Sequence, residues 1–484
     1  MKIHVLSVAS EAYPLIKTGG LADVVGALPG ALAPLGVRVT TMLPGYPAVM
    51  SALEKPEILH RYEDLLGIEA RLLGGSAGGI DLVVLDAPAL FARDGGPYAD
   101  PTGEDWPDNW RRFAALGRAA ADIVRGVVTD FRPNLLHLHD WQAAMALAYL
   151  HFGKDAASSV PSVITVHNMA FPGCFPADIF PDLGLPPEAF TISGVEYYGE
   201  VSFLKAGLQL ADAINTVSPT YAGEIRTPAF GMGFEGLIAQ RRDRVFGIIN
   251  GIDTAIWDPA TDPNLAAPYD ARMLQRREQN RRAIESAFGL TESDSPLFCV
   301  VSRLTLQKGM DVLAGLCDAL VAMGGRLAVL GAGDATLEAA FKAAALRHSG
   351  RIGVRIGYDE SLSHMLQGGA DAIVIPSRFE PCGLTQLYGL RYGCVPIVAR
   401  TGGLADTVID ANEAALAAGV ATGFQFESAT PGNLLGAFQR AIAVFADRTA
   451  WRCLQKRGMK ADFSWKRSGQ RYAELYERLL TRSV

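Results

Sequence analysis

Two cations and a carboxylate offer the plainest chemistry in this sequence. Arg303 and Lys308 follow the apolar stretch 297–301, and Glu380 lies in Arg378-Phe379-Glu380-Pro381-Cys382-Gly383-Leu384, shortly after 372–375. A guanidinium is a planar fork of donors and an ammonium is a compact charge, a combination suited to a diphosphate. Cations at the start of a helix oppose its dipole, so an anionic ligand explains the pair better than a solvated surface does. Pro381 forces its predecessor to be extended, and Gly383 allows close approach. A carboxylate on such a loop can hold a sugar hydroxyl or stabilise positive charge. Taken alone, it is equally an ordinary charge at a helix start.

A second signal is a repeated phrase. Residues 18–25 read TGGLADVV and residues 401–408 read TGGLADTV. Each follows a strand-like stretch and opens a helix-like one. Glycine pairs at a helix N-terminus let backbone N–H groups reach an anion that the helix dipole favours. Lys17 and Arg400 stand just before the two copies. The pattern predicts two related halves, each presenting an anion-binding loop through Gly19-Gly20 and Gly402-Gly403.

Other residues carry weaker signals. His167 ends an apolar stretch beside Asn168 and is a candidate general base; a strand-end histidine is also commonly structural. His137 and His139 share a strand face, whereas Asp140 faces the other way, so no metal site is predicted. Cys382 reads as a packing or ligand-lining residue, not a nucleophile. The GxSxG match at 74–78 joins two strand-like runs, so it reads as a hairpin loop and not a nucleophile elbow. Gly331-Ala332-Gly333 lacks the third glycine of a dinucleotide fingerprint, since Thr336 stands there, and remains a candidate phosphate loop.

These residues sit where positioning elements end. Apolar runs at 3–8, 37–43, 82–85, 135–138, 163–166 and 214–217 read as buried parallel strands, separated by helical patterns such as 109–127 and 141–152. The pattern restarts with strands at 297–301, 327–330, 354–356, 372–375 and 395–398, and helices at 309–323 and 335–347. Alternation of this kind predicts α/β, doubly wound sheets, which bind ligands at the carboxyl ends of their strands. The turn Asn250-Gly251-Ile252-Asp253 marks the boundary. The domains are predicted as residues 1–249 and 250–463, with an amphipathic helix at 464–484 packing back on the first.

Composition narrows the class. The 484 residues exceed one ordinary core, and a net charge of −7 argues against general nucleic-acid or membrane-surface binding. Six cysteines without a CxxC pair predict reduced thiols and no zinc site. Reduced thiols fit a cytoplasmic protein best, and the start, MKIHVLSVAS, reads as too short for a signal peptide and meets Glu11 at once.

The chain resembles the bacterial and plant glycogen/starch synthases, retaining glycosyltransferases that use ADP-glucose. The resemblance rests on Lys17-Thr18-Gly19-Gly20-Leu21-Ala22-Asp23, His139-Asp140-Trp141, Thr165-Val166-His167-Asn168, Asn250-Gly251-Ile252-Asp253, Ser302-Arg303-Leu304-Thr305-Leu306-Gln307-Lys308-Gly309 and the Glu380 segment, in order along nearly the whole chain. It implies two Rossmann-like domains facing across a deep cleft, the GT-B type. It implies transfer of glucose from ADP-glucose to an α-1,4-glucan, with no cofactor. Arg303 and Lys308 would hold the diphosphate, and Lys17, Gly19 and Gly20 the distal phosphate. His167, Asn168 and Glu380 would line the glucose subsite, with Cys382, Gly383, Leu384 and Thr385 beside it. Asp140 and Trp141 would lie near the reaction centre, Tyr358 would stack on adenine, and Asn250 would contact substrate. Tyr388 stands where the wider class often has a second glutamate, which leaves a ribose contact without its carboxylate. A sugar-nucleotide enzyme with a small acceptor and a non-catalytic glucan-binding protein are the rival classes. No two aspartates lie two residues apart, so the metal-holding DxD clamp is absent and the expected metal requirement is none.

Overall fold

The computed structural model describes residues 2–153 and 160–482. The chain forms two compact units, Met1–Gly251 with Trp465–Val484, and Ile252–Ser464. The predicted helix at 464–484 is observed as Trp465–Arg482, and its last two positions lie outside the described residues.

The first unit is built on a nine-stranded sheet. Its spatial order is Val245–Gly247, Ala213–Thr216, Ser162–Val166, Leu135–His139, Ile3–Val8, Val37–Pro44, Ile80–Asp86, Ala70–Ala77 and Glu54–Tyr62. All neighbours run parallel except those at the Glu54–Tyr62 end, where Ala70–Ala77 pairs antiparallel on both sides. The central strands are apolar on both faces because helices cover both. One of these, Asn109–Arg125, stops at Gly126, which takes the left-handed conformation (φ 94°) that ends many helices. The GxSxG match lies on the strand Ala70–Ala77 up to its last glycine, Gly78, which opens the hairpin turn Gly78-Gly79. A small antiparallel sheet of Cys174–Phe175, Glu200–Ser202 and Glu196–Tyr197 completes the unit.

The second unit holds six strands, all parallel, in the order Ile352–Ile356, Arg326–Gly331, Leu297–Val301, Ala372–Ile375, Val395–Ala399 and Phe424–Phe426. The predicted helix at 309–323 is two short ones, Met310–Gly315 and Cys317–Ala322.

The final helix closes the first unit. Tyr472, Tyr476, Leu479 and Leu480 recur at helical spacing and pack with Leu28, Leu32, Val5, Val39, Leu135 and Val163 as one buried cluster. We expect Tyr476→Ala to lower folding stability by about 3–5 kcal/mol, as truncation of a fully buried aromatic does. Tyr476→Phe, which removes only a buried hydroxyl, should cost about 1 kcal/mol. Denaturant titration of both variants checks the contrast.

Candidate active site

In the first unit, the strand Ile3–Val8 runs into a loop fixed by buried Glu11. The Glu11 carboxylate accepts from the Thr18 N–H, from the Thr18 hydroxyl at 2.6 Å and from the Tyr98 hydroxyl. Ser10 Oγ meets the same Tyr98 hydroxyl at 2.7 Å. Thr18 is thereby held just ahead of Gly19 and Gly20, where the helix Gly20–Leu32 begins. A side chain at either glycine would meet no atom within 4 Å, and Gly19 is ordinary extended backbone (φ −155°). The fold itself therefore does not demand glycine at these two positions. A ligand that approaches the backbone closely would. Lys17 pairs with Asp23 at 2.8 Å.

The second glycine pair is different. A Cβ on Gly402 would lie 2.0 Å from the Glu380 carbonyl, and one on Gly403 would lie 2.2 Å from the Cys382 carbonyl. Gly402 is also left-handed, with φ 44°. The Gly403 N–H donates to the carbonyls of Glu380 and Pro381, and the Leu404 and Ala405 N–H groups both donate to Thr401. These N–H groups are spent inside the protein, so the expectation of a second open anion loop is corrected. This copy is a seat for the Glu380 loop. Gly331-Ala332-Gly333 is corrected for the same reason. Its glycines lie under the Ser302 and Leu304 carbonyls, and the Asp334 carboxylate already caps the helix that follows.

On that seat, Lys308 Nζ lies 2.5 Å from Glu380 Oε2, and the Ser377 hydroxyl donates to the same oxygen at 2.9 Å. The lysine-bearing loop is locked to the glutamate-bearing one. Arg378 grips the Asp311 carboxylate with two bonds of 2.7 Å, and its N–H donates to the Gln307 carbonyl. Arg303 is exposed and makes no side-chain hydrogen bond or ion pair among the described residues. Cys382 is buried. Gly383 is left-handed (φ 71°) and Leu384 caps the helix Thr385–Tyr392. Tyr358 is largely exposed at the rim of a concavity of about 320 Å³, lined also by Ala287, Leu330, Arg355, Ile356 and Leu362. Tyr388 stacks at 3.6 Å on Trp257, which stacks at 3.8 Å on His364.

At the strand ends of the first unit, Asp140 holds a left-handed backbone (φ 55°), unusual for a non-glycine residue. That geometry turns its carboxylate to accept the His167 N–H at 2.6 Å. Burial pushes the Asp140 carboxyl up to about 7, although the backbone N–H donors of His167 and Asn168 pull against it. His167 Nε2 lies 3.0 Å from His139 Nδ1, and His139 Nε2 lies 3.1 Å from Ser7 Oγ. The Asn168 side chain accepts from the Ala170 N–H. Asn250 is buried and its Oδ1 has no partner among the described residues. Trp141 is buried against Phe113, Phe175 and Phe203 and fills the space over Gly173. Its indole packs largely in the core of this unit.

Sequence reasoning brought Arg303, Lys308, Glu380 and the strand-end cluster 377–380 forward, but not the bond from Ser377 to Glu380. Asp311, which holds Arg378, and Glu11, which holds Thr18, gave no signal beyond their closeness in sequence to marked residues.

A chain of two doubly wound units whose strand ends collect cations, carboxylates and imidazoles is a two-domain glycosyltransferase of the GT-B type. The family description "Starch synthase catalytic domain" matches residues 4–240, and "Glycosyl transferases group 1" matches residues 282–443. Glycogen synthase of Novosphingobium aromaticivorans is 62% identical over 481 residues, 99% of each chain. Glycogen synthase of Mesorhizobium japonicum is 60% identical over 482 residues, the full length of both. The catalytic domain of starch synthase IV from Arabidopsis thaliana, solved bound to ADP and acarbose, superposes with a TM-score of 0.87 at 30% identity, covering 99% of this chain and 100% of that one. This chain belongs to the glycogen/starch synthase family. Among the described residues, no helix is long and apolar enough to cross a membrane.

Two outcomes follow from the site's construction. Gly403→Ala should lower the melting temperature sharply, because its methyl has only backbone to displace, whereas Gly20→Ala should leave it unchanged or slightly raised. A thermal melt of each variant separates the two glycine pairs. Stability should also depend on the imidazoles. Burial pushes His137 and His167 down to about 3, and His139 well below its ordinary value. In the unfolded chain they titrate near 6.5. Between those values the unfolded chain binds more protons, so stability is lost as pH falls below about 6.5. Asp140 works the other way between about 4 and 7, but it is one group against three. We expect the denaturation midpoint to fall from pH 7 to pH 5. A midpoint that rises over that interval would contradict this.

Proposed function

We propose that this chain transfers glucose from ADP-glucose to the 4-hydroxyl at the non-reducing end of an α-1,4-glucan, with retention, releasing ADP. The observation that carries the reading is the Lys308–Glu380–Ser377 cluster, with Arg303, unpaired among the described residues, on the loop that bears Lys308. The full-length likeness to named glycogen synthases supports the substrates, as does the ADP bound to the Arabidopsis neighbour. In this reading the second unit takes the nucleotide sugar and the first takes the acceptor. Arg303 and Lys308 neutralise the diphosphate as charge grows on it, which is electrostatic stabilisation of the leaving group. Lys17 and the backbone at Gly19 and Gly20 meet the distal phosphate. Tyr358, at the rim of its concavity, covers adenine.

The glucose subsite draws on His167, Asn168, Glu380 and the backbone at Cys382, Gly383, Leu384 and Thr385. Asp140 holds the His167 backbone. Asn250, whose oxygen has no partner among the described residues, contacts substrate. Glu380 positions the sugar and stabilises its positive charge. It is tied down by a lysine and a serine, which is poor preparation for a covalent nucleophile. A front-face route then fits: ADP leaves, its phosphate oxygen takes the acceptor proton, and attack comes from the side it left. No metal is needed, since cations neutralise the diphosphate. All six cysteines are free thiols, which suits a reducing, cytoplasmic setting.

The deciding experiment is ADP release with ADP-glucose or UDP-glucose, with and without glycogen. We expect release only with ADP-glucose and glycogen together, and no loss in excess EDTA. Efficient turnover with a small sugar acceptor in place of glycogen would sink the reading. Lys308→Ala should lower kcat on the order of 10²–10³-fold, with a smaller change in KM. An intact kcat with only KM raised would make Lys308 a ground-state binder.

A further inference from the structure

Three imidazoles form a row at the strand ends of the first unit, His137 and His139 fully buried and His167 partly exposed. His137 and His139 lie 4.2 Å apart between ring centroids, and His139 and His167 lie 5.3 Å apart with their planes 30° from parallel. His137 is anchored by Thr165 Oγ1 at 2.7 Å and by the Tyr476 hydroxyl at 2.8 Å. Asn215 Nδ2 donates to Thr165 Oγ1 and to the Tyr472 hydroxyl. The final helix thus fixes the plane of the ring on which His139 rests.

We propose that Ser7, acting through His139, fixes His167 in the tautomer with its proton on Nδ1, so that His167 offers a hydrogen-bond donor to an oxygen of the glucosyl group. The link to the sugar rests on the role given to His167 above. Proton accounting sets the direction. Ser7 is buried, and its hydroxyl has His139 Nε2 as its one hydrogen-bond partner among the described residues. A buried hydroxyl that does not donate leaves its proton unsatisfied, which is costly. His139 Nε2 therefore accepts, and a neutral imidazole that accepts at Nε2 carries its proton on Nδ1. That proton is given to His167 Nε2, 3.0 Å away. His167 Nε2 then accepts, and its own proton sits on Nδ1. Nδ1 has no protein partner among the described residues. Burial keeps both rings neutral, so one proton per ring is the right count. Ser7 and His139 are positioning residues in this scheme, and His167 alone meets the ligand.

The test uses the full-length protein with ¹⁵N-labelled histidine and two-bond ¹⁵N–¹H correlation spectra, recorded without substrate. His167 is assigned by the signal lost in His167→Gln. We expect His167 to be protonated on Nδ1 and bare on Nε2 in the unaltered protein. Ser7→Ala should shift His167 toward a mixture of tautomers. It should also lower kcat/KM for ADP-glucose by about five- to tenfold, the scale of one hydrogen bond. His139→Asn, which keeps an N–H near the Nδ1 position, should hold the His167 tautomer whether or not Ser7 is also replaced. A proton on Nε2 of His167 in the unaltered protein overturns the proposal, whatever the stability of the variants. So does a His167 tautomer that ignores Ser7→Ala. A shifted tautomer with unchanged kcat/KM breaks the link to the sugar. The spectra need no substrate, so absent ADP release would count against the proposed reaction and leave the tautomer readable.

Discussion

Parallel pairing is the constraint on which the rest of this structure depends. A parallel strand cannot be reached by a tight turn, so each connection must cross over the sheet through a helix. Strands then end along one edge, and the loops that leave them open on the same side. In the second unit, the loops after Leu297–Val301, Ala372–Ile375 and Val395–Ala399 carry Lys308, Glu380 and the Gly402-Gly403 pair. Distant parts of the sequence become neighbours because three adjacent strands run the same way. The antiparallel hairpins at the far end of the first sheet carry none of the marked residues.

Adjacency alone does not give precision, which comes from backbone seated on backbone. The loop bearing Glu380 rests on Gly402 and Gly403 at distances no side chain would permit. Arg378 then clamps that loop to Asp311 through a two-bond fork. A fork of this kind fixes orientation as well as distance. The loop end therefore has little freedom left, and Lys308 meets Glu380 as a consequence. In the first unit a buried carboxylate does the comparable work, with Glu11 gathering Thr18 and Tyr98.

The sequence made the alternation of strands and helices legible, because buried parallel strands are continuous apolar runs. The edge strand Glu54–Tyr62 was not legible, since it is mostly exposed and charged. The identity of the charged residues at the strand ends could also be read. Their pairing could not, because Lys308 and Glu380 are 72 positions apart and nothing in their spacing encodes contact. The repeated TGGLAD phrase shows the limit most clearly. Identical letters serve an open helix start at Gly19-Gly20 and a packed seat at Gly402-Gly403. Only the atoms that a missing Cβ would have met distinguish them.

The Lys308–Glu380 pair also bears on energetics. Both side chains are largely withdrawn from water, with 17% and 10% of their surface exposed. Removing charges from solvent is expensive, and their attraction offsets that cost only with good geometry and further hydrogen bonds. Ser377 supplies one such bond. Breaking the pair by removing one partner would leave a buried charge uncompensated. An anion arriving beside Lys308 has a different effect, because it adds a second negative partner without withdrawing the first. The lysine can then divide its three donors between carboxylate and phosphate. Arg303 is exposed and, among the described residues, has no side-chain partner to give up. The two cations thus differ in how free they are before any ligand arrives, one held in place by Glu380 and Ser377 and the other open to solvent.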